Sequence, residues 1–281
     1  MDTTPFRIDA AGLPVAGRIY RTAHGEFADT NRRLVLLHGA GVPGELTWQF
    51  VVQHLSQWDE ILVPDLPLMG RSRLPGNDMP SFSQYLSALK DLIDHFDWGH
   101  FDLGGYSFGG LLAMHLQKEY KIDRLVLIEP AALSSTDPSE LLRRADVYSN
   151  LGKNLIDNSG DADVYRAFLD VVSPNRARDP RLDDIAIKRL MAESHGLAAG
   201  VTAVAEALSE YSHFYSEWVP PVKGLSVVGG LSPSAMHDRH SLLDGVCGWR
   251  FESLPRTDHG LIYVRPRDIA RSMNGLYSES A

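Results

Sequence analysis

The strongest constraint on this chain is an alternation. Short apolar runs at Arg33–Leu37, Ile61–Val63, Phe101–Gly104, Arg124–Ile128, Leu225–Val228 and Arg250–Ser253 recur with longer amphipathic segments between them. Near-continuous apolar strands belong in a parallel sheet buried on both faces, and parallel neighbours need a crossover, usually a helix. The helical period predicts those crossovers at Leu46–Gln57, Phe82–Phe96, Phe108–Lys118, Ala235–Asp244 and Arg267–Leu276. Two weaker runs, Phe6–Asp9 and Val15–Thr22, flank the turn-prone Ala11-Gly12-Leu13-Pro14 and predict an antiparallel pair at one edge. The expected fold class is α/β, a mostly parallel eight-stranded central sheet with helices on both faces.

One interval breaks this rhythm. Ala131–Pro221 offers no convincing strand and reads as helices at Pro138–Leu151, Asp161–Val172, Leu182–Ser194 and Ala198–Tyr211, broken at Ser173-Pro174 and Asp179-Pro180. We expect a helical cap (residues 131–221) inserted after strand six into a core domain (1–130 and 222–281), lying over the carboxyl edge where open α/β sheets bind ligands.

Composition limits the partners. With 44% hydrophobic residues the chain can bury a large core, and a net charge of −9 disfavours nucleic acid and anionic membranes. The single cysteine, Cys247, permits no internal disulfide and no cysteine-pair zinc site. No run reaches the roughly 18 apolar residues of a membrane span, and the first residues lack the pattern of an export signal. The expectation is a cytoplasmic protein that needs no metal or cofactor and whose partner is a small apolar or aromatic molecule.

Chemistry concentrates at Gly104-Gly105-Tyr106-Ser107-Phe108-Gly109-Gly110, between a strand and an apolar helix. A serine at such a turn is exposed in strained geometry, and glycines two residues either side let strand and helix approach. The helix start aims N–H groups and positive dipole at developing charge, which makes the Phe108 N–H a natural oxyanion donor. A serine needs a base. Of eleven histidines, His259, in Thr257-Asp258-His259-Gly260 after the last strand, suits that role best; surface or structural roles suit the others.

With these residues in order, the chain resembles the α/β-hydrolase superfamily over nearly its whole length. His38-Gly39-Ala40-Gly41 is similar to the family's oxyanion loop, and Asp65-Leu66-Pro67-Leu68-Met69-Gly70-Arg71-Ser72 to its loop after the fourth strand, with Leu68 where a glycine is usual. The resemblance implies Ala40, or Gly41, as second oxyanion donor, His38 as a structural residue, and an acid a few residues beyond the glycine after strand seven. No carboxylate stands there, in Val227-Val228-Gly229-Gly230-Leu231-Ser232-Pro233-Ser234. Glu129, ending strand six, is the first candidate and Asp238 the second; a dyad without an acid stays open. Asp258 is disfavoured because neighbouring side chains in an extended loop diverge.

A competing pattern shares the first loop. Gly39-Ala40-Gly41-Val42-Pro43-Gly44, with Asp65 after the next strand, imitates a dinucleotide fingerprint, but leaves Ser107 and His259 without a role. The expected reaction is hydrolysis of an ester, lactone or thioester through an acyl-enzyme. Carbon–carbon bond hydrolysis on the same fold and a catalytically weak ligand-binding protein are the alternatives.

Overall fold

Leu34 and Leu36 face one side of the sheet and Val35 and Leu37 the other, the two-residue period of a strand buried on both faces. The protein is described as a computed structural model covering residues 1–21, 31–76 and 78–278. Its eight strands are β1 (Asp2–Ala10), β2 (Leu13–Arg21), β3 (Arg33–Leu37), β4 (Glu60–Asp65), β5 (Phe101–Tyr106), β6 (Ile122–Ile128), β7 (Gly224–Gly229) and β8 (Trp249–Leu254). They lie in the order β1-β2-β4-β3-β5-β6-β7-β8. The β1–β2 and β2–β4 pairs are antiparallel and the rest parallel. The expected edge hairpin is present, although Thr22 lies outside the described residues.

Helices cover both faces. α1 (Gly44–Val52) and α10 (Pro266–Ser278) pack Trp48, Val51, Ile269 and Met273 on Leu34, Leu36, Val126 and Ile128. On the opposite face, α2 (Phe82–Phe96) and α3 (Phe108–Leu116) pack Tyr85, Leu89, Leu111 and Leu112 on Val35, Leu37, Leu125 and Leu127. A capping box between Ser81 and Gln84 starts α2. α1 stops at Val52, short of the expected Gln57. There the His54 and Leu55 N–H groups turn back three residues, to Val51 and Val52, and the Ser56 N–H is taken by the Asn274 side chain of α10.

Between β6 and β7 stand α4 (Pro138–Asp157), α5 (Ala162–Val172), α6 (Pro180–Ala192) and α7 (Ser194–Glu217). Asp137, Asp161 and Asp179 cap three of them, so Pro138 and Pro180 open helices at the position where a missing N–H costs nothing. α7 outruns its expected end by passing through a kink at Tyr211. Two short helices, α8 (Ser234–Ser241) and α9 (Leu261–Val264), flank β8. No helix among the described residues is long and apolar enough to cross a membrane.

Candidate active site

Ser107 sits between β5 and α3 with φ 53° and ψ −116°, a conformation that non-glycine residues adopt at a cost of about 1–3 kcal/mol. Its backbone holds it there. The Ser107 N–H donates to Ile128 O at 3.0 Å, and Ser107 O accepts from Ala131 N–H at 3.1 Å. Both partners flank the end of β6, so strand pairing itself braces the turn. Glycine is required on both sides: a Cβ at Gly105 would overlap the Gly109 backbone, and one at Gly109 would overlap the carbonyls of Leu37 and His38. Gly109→Ala is therefore expected to destabilise the protein by about 1–3 kcal/mol. Urea unfolding tests this; an unchanged midpoint would refute the close approach.

The structure joins Ser107 to His259. His259 Nε2 lies 3.1 Å from Ser107 Oγ, and His259 Nδ1 lies 2.7 Å from Glu129 Oε2. Serine, imidazole and carboxylate thus form one hydrogen-bonded chain across residues far apart in sequence. The loop after β8 brings the imidazole in, and Tyr106 steadies it: its ring stacks on His259 at 5.1 Å, and its hydroxyl donates to His259 O at 2.9 Å. Sequence reasoning assigned Tyr106 no role; its place beside the candidate nucleophile was the only available signal.

Of the two carboxylates, Glu129 is the one hydrogen-bonded to His259. Glu129 directly follows β6 at φ 41°, with its N–H bonded to Val227 O, and is only 1% exposed. Its other oxygen, Oε1, accepts from Gly229 N–H at 2.7 Å and Ser232 Oγ–H at 2.5 Å. Burial pushes this carboxyl up. The His259, Ser232 and Gly229 hydrogen bonds and the charge His259 can carry outweigh it and hold the group below the ordinary glutamate range. Asp238 is exposed on α8. His115, on α3, serves elsewhere, its Nε2 meeting Tyr215 OH at 2.7 Å.

The loop after β3 runs beside the serine, where a Cβ on Gly39 would come within 3.1 Å of Ser107 Cβ. His38 orients this loop. It is fully buried, its Nδ1–H donates to Gly39 O at 2.7 Å, and its Nε2 accepts the Leu66 N–H at 2.8 Å. Burial pushes its pKa down, in keeping with a neutral ring that must accept through Nε2. Ala40 stands next in this loop, and Phe108 opens α3, whose first N–H groups have no partner within the helix. The dinucleotide reading fails on Asp65, which is buried with its oxygens accepting the Gly44 and Arg71 N–H groups at 2.8 and 2.9 Å, so that no carboxylate is presented to a ribose. Leu68 adopts a left-handed backbone, φ 69°, that glycine takes more easily.

Helices α6 and α7 roof this loop. A Cβ on Gly41 would meet Leu197 at 2.8 Å and Leu190 at 3.0 Å, and one on Gly200 would meet Ala40 at 2.7 Å. Of the aromatic residues between β6 and β7, Tyr148, Tyr165, Phe168, Tyr215 and Trp218 are buried in the main core, and Tyr211 and Phe214 pack against it. The described residues hold no cluster of three or more His, Cys, Asp or Glu side chains able to bind a metal.

Comparison with known proteins adds to this geometry. A family model described as "Alpha/beta hydrolase family" matches residues 34–272. Lipase LipV of Mycobacterium tuberculosis is 34% identical over 101 residues, 35% of this chain and 37% of that protein. The chain spans only 24% and 37% of the lengths of the curated relatives it matches. Among solved structures, epoxide hydrolase CorEH superposes with a TM-score of 0.73 at 15% identity over the whole of both chains. An esterase from Thermogutta terrifontis does so at 0.70 and 17%, covering 98% of each. At such identities the structural likeness is one of fold.

Proposed function

This chain belongs to the alpha/beta hydrolase family, and from that premise we propose that it is a hydrolase that cleaves carboxylic esters or related acyl compounds, lactones or thioesters, through an acyl-enzyme on Ser107. The observation that carries this reading is the unbroken chain from Ser107 Oγ through His259 to Glu129 Oε2, with links of 3.1 and 2.7 Å. His259 Nε2 takes the hydroxyl proton as the alkoxide attacks the carbonyl, while Glu129 holds the Nδ1–H and stabilises the imidazolium. The Phe108 and Ala40 N–H groups receive the oxyanion. His259 returns its proton to the leaving group, and water then releases the acid by the same steps in reverse.

The relatives named lipase and esterase support acyl chemistry, and the likeness to an epoxide hydrolase shows that fold alone does not choose the reaction. A fluorophosphonate probe should label Ser107 stoichiometrically, and a series of p-nitrophenyl esters should reveal an optimal chain length. Absence of labelling under conditions that modify an ordinary esterase would overturn the proposal. Labelling without turnover of any ester, lactone or thioester would move the reaction to another bond.

A further inference from the structure

The two oxygens of Glu129 have different partners. Oε2 faces His259 Nδ1, and Oε1 collects both the Gly229 N–H and the Ser232 hydroxyl. Ser232 lies on the turn between β7 and α8, where the family resemblance would place an acid, and it is 9% exposed. That turn is tied on three sides. The Gly230 N–H donates to Leu254 O at the end of β8, and the Leu231 N–H to Thr257 O beside the histidine loop. From the segment between α5 and α6, Asn175 Nδ2 donates to Leu231 O at 2.9 Å.

A glutamate carboxylate turns about its last bond against only a shallow barrier. Burial alone would leave the plane of Glu129 free to twist, and a twisted carboxylate gives His259 Nδ1–H no in-plane lone pair. Two donors converging on Oε1 remove that freedom. We propose that Ser232 is a positioning residue for the Ser107–His259–Glu129 relay, its hydroxyl clamping one carboxylate oxygen so that the other stays aimed at His259. The two strand ends have divided the work: β6 supplies the charge and the turn after β7 supplies the clamp. This inference rests on the proposed role of Ser107.

Two neighbouring histidines do not replace the clamp. His240, on α8, is fully buried and stacks on Phe251, and His237 directs its Nε2 at Gly229 O. Removing the serine hydroxyl therefore takes away one of the hydrogen bonds that keep Glu129 ionised, and the carboxylate binds a proton more readily.

The test reads nucleophile activation directly, with no need for the natural substrate. The second-order rate of fluorophosphonate labelling at Ser107 is measured at one pH for the unmodified protein, Ser232→Ala, Ser232→Thr, Glu129→Gln and the Ser232→Ala/Glu129→Gln double variant. Ser232→Ala should slow labelling on the order of tenfold, as expected for loss of a hydrogen bond to a charged group. Ser232→Thr, which keeps the hydroxyl, should recover to within about threefold. In the Glu129→Gln background Ser232→Ala should cost less than about twofold, because a residue acting through Glu129 has little left to position. Unimpaired labelling of Ser232→Ala, a threonine variant as slow as the alanine one, or full additivity in the double variant would overturn the inference. Failure of the unmodified protein to label at all would overturn the proposed role of Ser107 and this inference with it; labelling that ignores Ser232 would overturn this inference alone.

Discussion

Replacing Ser107 by alanine should lower kcat for a hydrolysed ester by at least about 10⁴-fold while leaving the fold intact. In a serine–histidine relay the members act as a unit, and loss of the nucleophile alone removes about as much rate as loss of all three. What survives is the contribution of binding and of oxyanion donors such as those proposed at Phe108 and Ala40. The stability side of the same experiment is equally specific. Ser107 holds a backbone conformation that glycine reaches without strain, so Ser107→Gly should be as inactive as the alanine variant and yet more stable. Relief of about 1–3 kcal/mol of strain is partly offset by up to about 1 kcal/mol of glycine chain entropy. Calorimetry should show a rise of a few degrees in Tm. A Ser107→Ala variant with more than 1% of the original kcat would remove this residue from the reaction.

Glu129→Gln should cost about 10²–10⁴-fold in kcat, and the hydrogen bonds around it explain why so small a change matters. The Gly229 N–H and the Ser232 O–H both need an acceptor at Oε1. A glutamine must therefore turn its carbonyl oxygen toward them and its NH₂ toward His259 Nδ1. That forces the imidazole to accept at Nδ1 and carry its proton on Nε2, the wrong tautomer for a base facing Ser107 Oγ. An amide in the same role in serine proteases costs about 10⁴-fold. KM should change little, since Glu129 is buried behind the histidine. Asp238→Asn should leave kcat within a factor of two. Steady-state kinetics on both variants decides the matter, and reversed effects would return the acid to α8.

The parts of the site that share a local signature could be read from sequence. The strand–Gly-x-Ser-x-Gly–helix segment encodes its own geometry, because glycines at 105 and 109 are what the close backbone approach demands. His259 stood out by its place after the last strand. Glu129 could only be a candidate, since its claim depends on β6 and β8 ending at the same edge, which pairwise strand register decides. Ser232 and Tyr106 were missed for the same reason: a hydroxyl aimed at a carboxylate 103 residues away leaves no pattern along the chain. The sheet was legible because parallel strands are apolar on both faces. Helix ends were less so. α1 stops where Asn274, from the far end of the chain, takes the next free N–H, and α7 continues through a kink that packing tolerates.

The helices between β6 and β7 lean on Gly41 and Ala40, but among the described residues they contribute no hydrogen bond to Ser107, His259 or Glu129. Every bond that fixes those three side chains comes from a strand end or from the turns after β7 and β8. Substitutions at Leu190 and Leu197 can thus change the packing over the loop after β3 while leaving in place the hydrogen bonds that hold Ser107, His259 and Glu129 together.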